Sequence, residues 1–260
     1  MNIEHISVSR KGIWNECQYK YKFQYHDKVP PPGEEPFYFI FGKIVHKIAE
    51  EYVSNGGKIP IGDISERVLS GKLLVEANKP APPTSTWPKA YKPRLPGMLR
   101  SIVSISDKIG YDGDDHLEYE FRYDLDPPND KCVKGFIDRL TIKNGLYRIL
   151  DYKTTKKGPY RKDRSNIMYD LQLRAYASVV QKDFNVPVEN IRAALLYLEG
   201  SNLIGARFTQ ASLDSAQEEL LEAYKQIEAT PPERAFGRVG RHCNRCAYNS
   251  LCHFYIPGWK

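Results

Sequence analysis

Asp138, in Gly135-Phe136-Ile137-Asp138-Arg139, and the pair Asp151 and Lys153, in Asp151-Tyr152-Lys153, place two acids and a lysine on what read as two β-strands. That is the composition of a metal-dependent site for phosphodiester hydrolysis. Over Leu146 to Lys153 the strand period of two puts Ile149, Asp151 and Lys153 on one face, so the carboxylate and the ammonium point into the same space. Set among Leu146, Ile149 and Leu150, both charges are largely buried, and a buried charge is costly unless something compensates it. A divalent cation with a phosphate is one compensation; a plain ion pair on an edge strand is the other.

Four of the five cysteines form a second group. Cys17 stands near the N-terminus, while Cys243, Cys246 and Cys252 crowd the far end as C-x2-C-x5-C. An intracellular setting argues against disulfides and for metal ligation. Zinc and an iron-sulfur cluster both accept four thiolates. Zinc modules draw on local ligand pairs, whereas one thiol here is remote, a layout that favours a cluster stapling both ends of the chain. His242 and His253 adjoin the ligands and keep zinc open. Cys132 reads as a small buried hydrophobe.

The chain has 260 residues, enough for a full core and for one domain with elaborations. A formal charge of +6 and a pI near 8.9 suit a polyanionic partner without establishing one. No apolar run of about 18 residues is present, and Met1 to Arg10 lacks a secretory h-region, so a soluble, cytoplasmic protein with no membrane partner is expected. Eighteen tyrosines suit base stacking and a half-polar core equally well.

These side chains need elements to hold them. Ser9 to Tyr25 has helical spacing, with Ser9 as its cap, and the prolines at 30–32 end it. Phe41, Ile44, Val45, Ile48, Ala49 and Tyr52 form one apolar helical stripe, with His46 on its flank. Residues 55–115 read as an insertion or long irregular region. The proline-rich stretch from Lys79 to Gly97, carrying Trp87, Lys89, Tyr91, Lys92 and Arg94, suits a single-strand channel or a plain surface excursion. Strands are expected at Leu117–Tyr123 and Val133–Ile142, with Asn144-Gly145 turning into the Asp151 strand. A loop with Lys156, Lys157, Arg161, Lys162 and Arg164 follows, read either as a phosphate-backbone contact or as a solvated charged loop. Met168–Gln181 is then helical, with Gln172 and Tyr176 on one face. A strand at Ile191–Leu198, its hairpin mate at Asn202–Thr209, and a long helix capped by Thr209 and stopped at Pro231-Pro232 complete an α/β fold with a mixed sheet.

In order along the chain, Gly42-x3-His46, Gly135-x2-Asp138-Arg139, Asp151-Tyr152-Lys153 and Gln172-x3-Tyr176 resemble the RecB-like branch of the PD-(D/E)XK nucleases. With Cys17, Cys243, Cys246 and Cys252, the chain is similar to the iron-sulfur members of that branch, the CRISPR-associated RecB-like exonucleases and the AddB nuclease domain. The resemblance spans residues 9–255 apart from the proline-rich stretch. It implies a single nuclease domain over 1–260, a restriction-endonuclease-like core of mixed sheet flanked by helices, and a cluster-binding unit made of 9–25 with 236–260. A G-x4-G-K-[ST] loop is absent, so no motor accompanies the nuclease.

The resemblance also implies roles. Asp138 and Asp151 ligate Mg2+ or Mn2+ with the main-chain carbonyl of Tyr152, and His46 adds a nitrogen ligand that favours Mn2+. Lys153 orients water or offsets charge on the phosphoryl group, and Gln172 and Tyr176 contact the phosphate or orient the lysine. Glu120 is a candidate for a water-mediated metal contact or a solvent-facing residue, and Arg139 pairs with a core carboxylate or touches DNA. Cys17, Cys243, Cys246 and Cys252 hold a 4Fe-4S cluster, with Zn2+ as the alternative. The expected activity is exonucleolytic, on single-stranded DNA or free ends in recombination, repair or CRISPR adaptation, alone or with a protein partner in such a complex. A non-catalytic DNA-binding scaffold and an endonuclease on the same core are the competing readings.

Overall fold

A computed structural model describes residues 1, 3–76, 78–111, 113–159 and 161–258. Helices α1 (Val8–Glu16), α2 (Gln18–Tyr21), α3 (Phe37–Ser54), α4 (Ile61–Leu69) and α5 (Leu95–Ile109) precede three strands, β1 (Asp114–Asp126), β2 (Lys131–Lys143) and β3 (Leu146–Lys153). Helix α6 (Leu171–Asp183), strands β4 (Ile191–Tyr197) and β5 (Asn202–Ala206), and helix α7 (Gln210–Ala229) follow. The sheet order is β1-β2-β3-β4-β5. Antiparallel β2/β3 and β4/β5 ladders flank a parallel β3/β4 ladder, so the sheet is mixed. A parallel pair needs a crossover, and α6 supplies it, packing on β3 and β4. Asn144 and Gly145 both take positive φ, 51° and 71°, as a two-residue hairpin turn of matching twist requires.

The described residues fall into two compact units. One comprises Met1–Glu35, Phe121–Gly135 and the chain from Asp214 onward; the other comprises Pro36–Glu120 and Phe136–Leu213. In the second unit, Phe41, Ile44 and Ile48 of α3 meet Ile64 and Val68 of α4, Met98 and Ile102 of α5, and Leu150 of β3 in one core. The region expected to be irregular over 55–115 thus contains two amphipathic helices, α4 and α5, and is irregular between them. Pro96 lies in the first turn of α5, where a missing N–H costs nothing, so the proline-rich composition hides a helix start. Trp87 is 5 % exposed and packs on Phe37 and Phe41, with its indole N–H donating to the Pro82 carbonyl. Tyr91 packs on the same two rings. Those aromatics serve the core rather than a strand channel or a surface excursion.

In the first unit, Ser7 rather than Ser9 caps α1, its Oγ accepting from the Arg10 N–H at 3.1 Å. The single helix expected from Ser9 to Tyr25 is interrupted at Cys17, which is extended (φ −165°, ψ 113°), and α2 then runs into a π-turn at Lys22–His26. Ile6 bridges in parallel to Val133, with N–H to carbonyl bonds to Cys132 and from Lys134. A Cβ on Gly135 would meet the Phe121 ring at 2.7 Å, so the glycine is required by close approach.

Arg139 is fully buried in the second unit. Its Nε and Nη2 donate to the two Asp115 oxygens at 3.0 Å each, and further bonds reach Thr141 Oγ1 and the Gly110 carbonyl. A bidentate pair in that setting ties β1, β2 and the end of α5 together. Removing one partner leaves a buried charge, so Arg139→Met is expected to cost about 3–5 kcal/mol in urea unfolding. Arg139→Met with Asp115→Leu is expected to recover most of that loss; a single substitution as stable as the parent would refute the role.

Candidate metal centre and active site

The β2/β3 ladder runs from Lys143↔Leu146 to Arg139↔Leu150. Beyond it the Asp138 side chain, not the β2 backbone, accepts the Tyr152 N–H, at 2.6 Å. The strands part at Asp138 and Tyr152, and a carboxylate substitutes for a missing ladder bond. His46, from the middle of α3, reaches the same carboxyl, its Nδ1 3.4 Å from Asp138 Oδ1. At the end of β3, the Lys153 ammonium lies 2.7 Å from Asp151 Oδ2 and donates to Gln172 Oε1 at 2.8 Å. Gln172 Nε2 in turn donates to the Tyr176 hydroxyl at 2.7 Å, one helical turn along α6. Asp170 starts that helix by accepting from the Leu173 N–H, which sets where Gln172 projects.

Glu118 completes the acidic side of the site, and sequence reasoning missed it. Ligand atoms of His46, Glu118 and Asp138 all lie within 4.8 Å of one another, the one such group among the described residues. Groups gathered in this way could share one cation. Glu118 sits inside β1 with φ 46°, a left-handed conformation that breaks the alternation of the strand. By simple alternation Glu118 and Glu120 share a face, so no period-two reading separates them. In the structure Glu120 is exposed and Glu118 half-buried.

Electrostatics follow from the crowding. Burial opposes charge on His46, but the Asp138 carboxylate outweighs it and raises the imidazole to about 9. Burial, with Asp138 adding repulsion, raises Glu118 to about 7 and Asp151 to about 6. Burial also acts against Asp138, yet His46 and the Tyr152 N–H hold it below the usual carboxylate range. Lys153 is raised, Asp151 overcoming the cost of its burial, and therefore stays cationic. Burial and the two aspartates push Tyr176 well above the ordinary phenol range.

The basic loop after Lys153 divides. Lys156, Lys157, Lys162 and Arg164 are exposed. Arg161 turns inward instead, donating to the carbonyls of Thr155 and Glu199 and lying over the Tyr197 ring at 4.8 Å. Arg94 grips the same loop from the other side, donating to the Thr154 carbonyl at 2.6 Å and to Glu199 Oε2 at 3.0 Å. In the first unit, Cys17, Cys243, Cys246 and Cys252 line one cavity with Tyr19, Phe23, Tyr248 and Phe254. Cys132 stands elsewhere, fully buried, with its thiol donating to the Glu4 carbonyl.

Glu118, Asp151 and His46 bind protons more tightly when folded than when unfolded. The folded, metal-free protein then holds extra protons, and stability falls as pH rises: from about 4 to 7 through the acids, and from 6.5 to about 9 through His46. Asp138, shifted the other way, acts only below that window. A cation needs these groups deprotonated, so its binding releases protons and its stabilisation grows over the same interval. Scanning calorimetry with and without Mn2+ is expected to show a melting-temperature gap that widens from pH 6 to pH 9; a gap independent of pH would count against the site.

The family model of the PD-(D/E)XK nuclease superfamily matches residues 5–253. The solved crystal structure of SSO0001 aligns over 92 % of this chain and 96 % of that chain, at 14 % identity and a TM-score of 0.34, a likeness too distant to bear on fold or function. No curated protein matches the chain. With a mixed five-stranded sheet between helices, and paired acids beside a lysine where two of its strands part, this chain belongs to the PD-(D/E)XK nuclease superfamily.

Proposed function

We propose that the chain is a DNA exonuclease that uses Mg2+ or Mn2+ and works from free ends, single-stranded ones above all, inside the cell. Superfamily membership carries nuclease activity with a divalent metal and DNA as substrate. The observation that supports the site assignment is the junction of His46, Glu118 and Asp138 with the Asp151–Lys153–Gln172 chain. His46, Glu118 and Asp138, with Asp151 and the Tyr152 carbonyl beside them, are the groups that would hold the cation. Mixed nitrogen and oxygen donors suit Mn2+ as well as Mg2+. A bound cation supplies Lewis acidity and a more acidic water.

The chain's own residues do the rest. Lys153, kept cationic by Asp151, offsets negative charge that builds on the phosphoryl oxygens, so its role is electrostatic and not that of a base. Gln172, itself held by Tyr176, fixes where the ammonium points. Lys156, Lys157, Lys162 and Arg164, exposed on the adjoining loop, are placed to grip the phosphate backbone. Processing of DNA ends is the step that recombination, repair or CRISPR adaptation requires, alone or within a protein complex. No helix among the described residues is long and apolar enough to cross a membrane.

For the four thiols we propose a 4Fe-4S cluster. Such a group suits the cavity that they line, and the extended backbone at Cys17 is what turns that thiol toward the tail.

Two measurements test these readings. End-labelled linear and closed circular single-stranded DNA, incubated with Mn2+ and anaerobically purified protein, should show loss of the linear form alone, and Lys153→Ala should abolish it by a factor of about 100 or more. Cutting of the circle would make the protein an endonuclease, and binding without cleavage a scaffold. For the thiols, the protein should be brown with iron near four per chain, and Cys246→Ala should be pale and poorly soluble; a colourless, stable, active Cys246→Ala variant would sink the cluster.

A further inference from the structure

A cavity of about 720 Å3 opens beside the metal trio, with Lys43, His46, Lys47, Leu74, Glu76 and Glu118 among its walls. His46 and Glu118 belong to the trio itself, so the cavity is continuous with the centre. Its volume falls in the range of small-ligand sites. Lys43 and Lys47 are one turn apart on α3 and flank His46, which aligns two ammonium groups with the metal-binding face. Both are held by carboxylates: Lys43 by Glu76 at 2.9 Å, Lys47 by Glu50 at 3.0 Å and Glu51 at 2.8 Å. The far wall is Leu74, Val75 and Glu76, contributed by the region between α4 and α5. Leu74 is 43 % exposed, a large apolar side chain left in water at the mouth of a charged site.

We propose that this cavity seats the nucleotide unit of the substrate strand next to the scissile phosphate. Lys43 and Lys47 take its phosphate, and Leu74 and Val75 cover its sugar and base. Glu76 occupies Lys43 until a phosphate replaces it, so substrate entry exchanges one ion pair for another. Apolar cover reads no base edge, and the contact is therefore indifferent to sequence. The proposal rests on the nuclease reading above, and it assigns to the segment before α5 a task that the catalytic motifs do not reach.

The test uses full-length protein carrying Lys153→Met, so that the strand stays intact, with Mn2+ and a short fluorescein-labelled oligothymidylate followed by anisotropy. Leu74→Asp is expected to weaken binding about tenfold, by removing apolar cover and adding a negative charge. Glu76→Gln removes the competing carboxylate and is expected to tighten binding about threefold, a gain that damage to the fold would not produce. Mn2+ affinity, read by water-proton relaxation, should be the same in all three proteins. Unchanged or weaker binding by Glu76→Gln overturns the proposal, whatever Leu74→Asp does. If protein with Lys153 intact cleaves no DNA while oligothymidylate binding still responds as expected, the nuclease reading falls and the nucleotide seat stands.

Discussion

Asp151, buried, and Asp138, half-buried, lie beside one another where β2 and β3 separate, and the second unit is organised around tolerating that pair. Two carboxylates in an apolar setting repel each other and lack water. Each is answered by a different group. Asp138 takes a backbone N–H that has lost its ladder partner and an imidazole from α3; Asp151 takes the ammonium of Lys153. The compensation is incomplete: burial, with Asp138 adding repulsion, still raises Asp151 to about 6 and Glu118 to about 7. A cation held there would relieve that tension, the same unfavourable burial that makes the metal-free site costly.

The scaffold around the pair is closely packed. Strand β3 is covered on both faces, by α6 on one side and by the α3–α4–α5 core on the other, as a strand flanked by a parallel neighbour requires. The loop that leaves β3 after Lys153 is clamped by Arg94 and Arg161, which share Glu199 and occupy the carbonyls of Thr154 and Thr155. Arg94 comes from the proline-rich stretch. A region that looks dispensable in composition thus supports the backbone that follows Lys153.

The thiol-bearing unit follows another logic. Around the thiols themselves the local elements are short: α2 has four residues, and the described tail around Cys243 and Cys252 forms 3-10 turns. Aromatic contacts fill the space between them, among them Tyr19 against Phe254 and Phe23 stacked on Tyr248. Little regular hydrogen bonding holds such turns in place, so a bound inorganic group has much to contribute to their order.

Apart from Glu118, the residues that the structure brings together at the candidate site were legible in the chain because each lies in a segment with a strong local pattern. Asp151 and Lys153 sit in an apolar strand of fixed period, His46 on a clear helical stripe, and Gln172 and Tyr176 one turn apart on α6. A charged residue in such a pattern announces that it is buried and needs a partner. Three things were not legible, for one physical reason. Glu118 rather than Glu120 joins the site because a left-handed residue inside β1 shifts the alternation, and that conformation answers to long-range packing. Arg161 turns inward because Tyr197 and Glu199 offer a ring and a carbonyl that only the fold places nearby. Helices α4 and α5 escape notice because prolines dominate the composition between them, while their apolar stripes gain meaning only against α3. Amino-acid order by itself determined which groups must be compensated, since burial follows local periodicity; which partners compensate them was decided by tertiary structure, because those partners come from elements distant along the chain.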